Sequence, residues 1–499
     1  MRRQPVKKKA VIIGGGPAGL CAGVYALRCG FDATILENHS IAGGNCTSWK
    51  RGGYLFEGGM HWLTGSAEQD DLHRLWRAMG ALGDGVTVHT YEPYIEYDHK
   101  GTPIRFYRDV DATEKHLLEL SPADGKKIRA LCGMIRRVQG MAMPVMDLRG
   151  VKVTRKTYPP ISLLFTALGA LGVMNKCLKI SREAYIGRFR HEGIRELLRS
   201  VTGDKSGVMP LVFSLGTFAR GDGGFPEGGS LPFVGRIVKT FRGLGGELLL
   251  NTRAQRVIVE NGKAVGVLAE GRRLDADAVI VTTDTMQMDH LFDSPPHAPW
   301  LDEMRRNTEG TMCTLICLGV AADLRGYQRG LMFKCAKPIQ LAVQTYEYLS
   351  INNYASDSVY SPEGKAALTI QLPGDTYDFW KKTKEDGRYA QEKQRVADDV
   401  IAVLEGMIPE SQGKVEVTDV ATPLTYERYC GNWRGSWMTE MNGSIKMKSY
   451  PAAVKGLNGV YFAGQRMMPP GGYPVALMSA RRAVQYLCRD TGAVFVSEE

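Results

Sequence analysis

The 499 residues exceed the ~100–200 that one core usually organises, so two or three domains with room for a large buried ligand are expected. Apolar residues at 44% and charged residues at 23% exclude a disordered chain and a polytopic membrane protein. Much of the net charge of +10 sits in a basic arm, Arg2, Arg3, Lys7, Lys8 and Lys9, and with no nucleic-acid motif beside it no nucleic-acid partner is expected.

After the arm, Ala10 to Ile13 is an unbroken apolar run suited to a buried parallel strand. It leads at once into Gly14-Gly15-Gly16-Pro17-Ala18-Gly19. In that context GxGxxG marks a phosphate-binding turn: Gly14 for the tight turn, Gly16 for backbone approach to a pyrophosphate, Gly19 for close packing of helix on strand. A helix over Leu20 to Cys29 turns its N-terminal N–H groups toward the phosphates, with Pro17 and Ala18 at its mouth. Ala33 to Leu36 reads as the second strand, ending in Glu37 and Asn38. A carboxylate there accepts from a ribose diol and repels a 2′-phosphate, so the nucleotide is adenosine-linked and not NADP.

A second glycine set follows: Gly43-Gly44-Asn45, then Gly52-Gly53 and Glu57-Gly58-Gly59-Met60-His61-Trp62. The Glu-x5-Gly-Gly spacing resembles the FAD-binding fold of glutathione-reductase-like and amine-oxidase-like flavoproteins. Further on, Ile161 to Met174 is the most apolar segment, with basic flanks at Lys152, Arg155, Lys156, Lys176 and Lys179. It is shorter than the ~20 residues a spanning helix needs. It reads either as a membrane-surface contact within 158–180 that admits a lipophilic substrate, or as a buried helix.

Gly228-Gly229-Ser230 precedes another helix. Gly246 to Val257 and Lys263 to Leu268 are expected strands, joined by an Asn261-Gly262 hairpin turn. Asp275 to Val281 returns to the nucleotide, ending in Thr282-Thr283-Asp284. Cys313 and Cys317 fall in an apolar strand and are read as packing residues. The ten cysteines include no CxxC pair, which fits a reducing, cytoplasmic setting with or without a peripheral membrane contact; no metal site is expected. A tyrosine-rich stretch, Tyr346 to Tyr360, reads as substrate cover.

Near the carboxyl end, Gly459 to Ala463 is a short strand followed by Gly464-Gln465. Gly471-Gly472-Tyr473-Pro474 then opens a helix over Val475 to Leu487, whose N-terminal dipole would stabilise negative charge on a reduced flavin.

Taken together, Ile12 to Gly19, Glu37 to Gly44, Gly221 to Leu231 and Tyr461 to Ala480 resemble the carotenoid desaturase, carotenoid isomerase and retinol saturase group of flavoproteins. The resemblance implies an α/β glutathione-reductase-like Rossmann domain made of 1–75, 220–290 and 440–499, with an α+β substrate domain from 76–219 and 291–439. It also implies non-covalent FAD, Val257 beside the adenine, and a lipophilic isoprenoid or polyene substrate. With one dinucleotide fingerprint, electrons are expected to pass to or from a separate partner such as oxygen, a quinone or a reductase. Candidate catalytic residues are His61, Tyr426, Trp433 and Arg434. Asn45-Cys46-Thr47 and His61-Trp62 depart from the carotenoid desaturase pattern. An amine oxidase of the same fold is the alternative, with Tyr426 and Tyr473 as an aromatic pair and Cys430 as a flavin attachment point. A flavin-holding protein without turnover is the third reading.

Overall fold

The computed structural model describes residues 7–155, 170–173, 177, 180–201, 207–439 and 448–497. A five-stranded parallel sheet carries the glycine loop. Its order is Val460–Phe462, Ala278–Val281, Lys9–Ile13, Asp32–Leu36 and Glu247–Leu249, so three distant stretches of chain build one sheet. Lys9–Ile13 is central, and its Ala10, Val11, Ile12 and Ile13 are all buried, as a strand covered on both faces requires.

The helix Pro17–Arg28 starts at Gly16, with proline in the first turn where its missing N–H costs nothing. Gly23 lets this helix approach the sheet and the helix Ser230–Gly243, since a Cβ there would meet the Phe241 ring at 2.6 Å and Ile35 at 3.0 Å. The closing helix, Gly472–Thr491, packs along the glycine-loop helix from the other side.

Two expected strands are each divided. Gly246 to Val257 becomes Glu247–Leu249, paired with Asp32–Leu36, and Ala254–Glu260, in a separate three-stranded antiparallel sheet. Asn251, at φ 50°, turns the chain between them. Asp275 to Val281 likewise splits into Arg272–Asp275 and Ala278–Val281, because Ala276-Asp277 carries the chain from one sheet to the other. The hairpin at Asn261-Gly262 forms as expected, with both residues at positive φ (52° and 73°).

A seven-stranded, mostly antiparallel sheet stands over this unit, in the order Val415–Ala421, Cys313–Val320, Ala366–Pro373, Gln344–Asn353, Gly330–Leu341, Ile95–His99 and Thr102–Phe106. Cys313–Val320 shows why it lies in the middle of the molecule. Leu315 and Cys317 pack toward the glycine-loop side with Tyr54, Tyr354 and Tyr360, while Ile316, Leu318 and Val320 pack against the helix Tyr389–Met407. The hairpin Ser48–Arg51 and Tyr54–Glu57 ties the two sheets, Trp49 Nε1 donating to Asp419 (2.9 Å) and the Tyr54 hydroxyl to Glu416 (2.6 Å).

No helix among the described residues is long and apolar enough to cross a membrane. Most of the apolar segment Ile161 to Met174 lies outside the described residues, and so do Lys156, Lys176 and Lys179 of its flanks.

Candidate functional site

The glycine loop has the shape that a pyrophosphate needs. Gly14 sits at φ +107°, and a Cβ on Gly19 would meet the Gly14 carbonyl at 1.8 Å, so Gly19 is fixed by packing. Gly16 differs: a Cβ there would meet nothing nearer than the Gly43 carbonyl and Gly44 Cα, both at 3.9 Å. The bare side of Gly16 therefore faces an opening bordered by Gly43 and Gly44, and the Gly43 N–H donates to the Gly15 carbonyl across it (3.0 Å). Pro17 and Ala18 are buried in the first helical turn.

Glu37 closes one end. Its carboxylate accepts from the Gly15 N–H (2.7 Å) and the His39 N–H (2.8 Å), one per oxygen, leaving lone pairs for a ribose diol. Asn38 beside it is exposed. Thr282, at the end of the neighbouring strand, donates to the carbonyls of Ile13 (2.8 Å) and Gly14 (3.1 Å) and locks the loop from beneath. Val257 is buried in a cluster with Ile13 and Leu36.

The two ends of the chain meet here. A Cβ on Gly59 would lie 1.8 Å from the Asn45 carbonyl and 2.6 Å from the Tyr473 hydroxyl. Tyr473 donates to that same carbonyl (3.4 Å), and Asn432 donates to the Asn45 side chain (2.6 Å). Gly464, at φ 143°, donates its N–H to Ser479 of the closing helix (2.9 Å); Gln465 follows it in a short 3-10 turn, and Gly472 and Pro474 open the closing helix, in which Val475 is buried.

Several groups central to this region were not among the residues singled out from sequence. Glu57 is fully buried and accepts from the N–H groups of Gly59 (3.0 Å), Met60 (2.9 Å) and Ser230 (2.9 Å), and from the hydroxyls of Ser230 and Tyr360. Burial pushes its pKa up against those donors. It joins the second glycine set to the start of the helix Ser230–Gly243, and its position just before Gly58-Gly59 was the available signal. Asp284 and Arg466 form a buried ion pair (2.7 and 2.8 Å). Burial opposes the Asp284 charge, but Arg466 and the N–H groups of Met286 and Trp433 hold its carboxyl below the usual range. Arg466 Nη1 stays enclosed without a partner, two residues beyond Gly464. That spare donor, the open face of Gly16 and the free lone pairs of Glu37 fit an anionic dinucleotide.

The expected catalytic residues separate. His61 and Tyr426 converge on Trp437, with ring centroids 5.6 and 5.4 Å from it, and the Tyr426 hydroxyl donates to the Gly58 carbonyl (3.0 Å). Gln371 sets its side-chain amide against the His61 imidazole. Burial, reinforced by the Arg329 cation, pushes the His61 pKa down to about 4, so the imidazole is neutral at ordinary pH. Trp433 lies elsewhere, its N–H donating to Asp284 (2.9 Å) and its ring 5.9 Å from the Arg466 guanidinium. Arg434 turns to the surface, pairs with Asp375 (3.1 Å) and Asp378 (2.8 Å), and stacks on Tyr377; the structure does not bring it to the His61 group.

The parallel sheet, the phosphate turn and the glycine-lined closure define a flavin-dependent oxidoreductase. A family model described as "Flavin containing amine oxidoreductase" matches residues 17–488, and the chain belongs to that family. Among curated proteins it is 23% identical to a phytoene desaturase (lycopene-forming) of Paracoccus sp. over 97% of this chain and 98% of that one. It is 23% identical to the chloroplastic prolycopene isomerase of Daucus carota (97% and 80% covered) and 22% identical to the all-trans-retinol 13,14-reductase of Danio rerio (93% and 84%). The resemblance to the desaturase, isomerase and saturase group thus runs through the chain. Among solved structures, an oxidoreductase from Methanosarcina mazei shares the fold with TM-score 0.60 at 17% identity (94% and 98% covered). Wild-type putrescine oxidase bound to putrescine does so with TM-score 0.60 at 14% identity (97% and 99%).

Proposed function

We propose that this chain is an FAD-dependent oxidoreductase that acts on a carbon–carbon bond of a lipophilic polyene or isoprenoid, with FAD held non-covalently. The observation that carries the reading is a juxtaposition. The glycine cradle and the closing helix meet at Asn45 and Tyr473, and the wall that adjoins them through Gly58 is aromatic and uncharged: Tyr426, Trp437 and a neutral His61. Such a wall suits a hydrocarbon chain lying flat, from which water is excluded.

When bound, the flavin supplies hydride exchange between its N5 and an activated carbon, which requires no nucleophile from the protein. Glu37, Gly14, Gly16, Gly43 and Gly44 would hold the adenosine and pyrophosphate, and Gly464, Gln465, Gly472 and Tyr473 the flavin end. Tyr426 and Trp437 would orient the chain. His61, steadied by Gln371, would hold or release a proton at an imidazole nitrogen. The names of the relatives support the substrate class, and the one phosphate turn supports a separate electron partner.

Cys430 supports non-covalent binding: it is turned to the Gly44 carbonyl (3.4 Å), and burial raises its pKa to about 12, so the reactive thiolate is suppressed. Anaerobic flavin spectroscopy tests the proposal. Recolouring of pre-reduced protein by a polyene, or bleaching of oxidised protein by a more saturated isoprenoid, is the expected result, and flavin released on acid precipitation is the expected mode of attachment. The family description and the putrescine oxidase fold favour a second reading, amine oxidation. Rapid bleaching by amines with silence toward every isoprenoid would establish it in place of the first.

A further inference from the structure

Arg329, just before the strand Gly330–Leu341, stands in an aromatic box. Its guanidinium lies 3.5 Å from the centroid of Tyr354, 4.7 Å from Phe225 and 5.9 Å from Tyr91. Nη1 reaches the Asn353 carbonyl at 3.3 Å, while Nη2 is sealed from solvent and completes no hydrogen bond. The Tyr354 hydroxyl and Thr369 Oγ1 are enclosed too and make no well-oriented hydrogen bond, although Tyr354 stands close enough to Thr369 and Arg329, and Tyr91 close enough to Arg329, for these groups to interact weakly with one another. Among the described residues no carboxylate is within ion-pair distance of this cation. The nearby acids are committed: Glu57 to its ring of donors, Asp357 to the N–H groups of Gly228 (3.3 Å) and Val359 (3.0 Å).

An enclosed guanidinium without a counter-ion is costly, and so are enclosed hydroxyls without partners. Arginine does not escape the cost by losing its proton. An arrangement of this kind is stable in use when a ligand brings the missing charge and acceptors. We propose that Arg329, with the hydroxyls of Tyr354 and Thr369, binds a carboxylate at one end of the substrate, so that the substrate is an unsaturated lipophilic acid.

Charge counting favours a carboxylate over a phosphate ester: no second cation stands over the rings of Tyr91, Phe225 or Tyr354 among the described residues, and one guanidinium matches one negative charge. Thr369 and Gln371 lie two residues apart on the strand Ala366–Pro373 and so share one face of the sheet, and Gln371 meets His61, which places the anchor on the same side as the Tyr426, Trp437 and His61 wall. The acid end would then fix how far along the hydrocarbon the reactive carbon sits. This inference rests on the polyene reading above for the nature of the chain, but not for its charged end.

The test uses the flavin-loaded protein and two pairs of probes: all-trans-retinoate with its methyl ester, and palmitate with hexadecanol. Binding is read from the perturbation of flavin absorbance. Acid is expected to bind at least tenfold tighter than its neutral partner. Arg329→Met is expected to erase that preference while leaving flavin content and ester binding as they were, and Arg329→Lys, which keeps the charge should the methionine variant not fold, is expected to retain part of it. Equal binding of acid and neutral probe in both pairs overturns the inference and leaves the polyene reading standing. Acid preference with palmitate but no response to either retinoid keeps the anchor and removes the polyene reading. Loss of flavin from both Arg329 variants overturns the inference by assigning the cation to the cofactor.

Discussion

The glycine cradle and the aromatic chamber are neighbours built by opposite means. The cradle is shaped by backbone: Gly16 is bare, Gly19 is packed shut, and Glu37 and Thr282 secure the loop through main-chain groups. The chamber is built from side chains delivered by segments far apart in sequence, with polar atoms of Arg329, Tyr354, Thr369 and Trp437 enclosed and without a well-oriented hydrogen bond. A site for a constant ligand is completed by the main chain and tolerates little change. A site for a variable ligand, as proposed for the chamber, relies on the ligand to complete the bonding of its side chains.

Substitution within the cradle should have the largest effect and should separate its two kinds of glycine. Gly19→Ala, which forces a Cβ to within 1.8 Å of the Gly14 carbonyl, is expected to yield protein without flavin and with a depressed melting temperature. Gly16→Ala has open space, so the apoprotein should melt as before while flavin affinity, followed by fluorescence, falls about tenfold or more, the ~1.4 kcal/mol of one displaced contact. Equal behaviour of the two variants would break the distinction.

Asp284→Asn is next. It strands the buried Arg466 charge and should cost about 3–5 kcal/mol in urea unfolding, because breaking one side of a buried pair leaves the other unpaired. The chamber's expected mark is a pH effect. With the His61 pKa near 4 folded and 6.5 unfolded, the unfolded chain binds the extra proton between those values, so stability should fall as pH drops through that window. His61→Gln should flatten that slope in urea midpoints measured against pH; an unchanged slope would mean that other groups carry it. The smallest effect is expected of Cys430→Ser, which should leave flavin content and its release by acid unaltered.

The cradle is legible in the amino-acid sequence because strand, GxGxxG, helix and Glu37 follow one another within a single local unit, and each residue's task is set by backbone conformation. The division of two expected strands is not: an extended stretch such as Asp275 to Val281, two aspartates alternating with alanine before an apolar run, looks alike whether it stays in one sheet or crosses between two. Arg434 draws attention through its place next to Trp433, yet Asp375 and Asp378 arrive from another part of the chain to claim it. Glu57, quoted only as the head of a glycine motif, and Arg466 and Arg329 are given no role from sequence for the reverse reason. Each is an ordinary charged letter until tertiary structure buries it, and nothing local to Arg329 announces Tyr354, Phe225 or Tyr91.

One consequence concerns synthesis. Because Val460–Phe462 adds to the parallel sheet beside Ala278–Val281, and Tyr473 closes on Asn45, the amino-terminal turn emerges from the ribosome long before its lid exists. A nascent chain would carry an exposed half-site through most of translation, and firm capture of the cofactor would be among the last events of biogenesis.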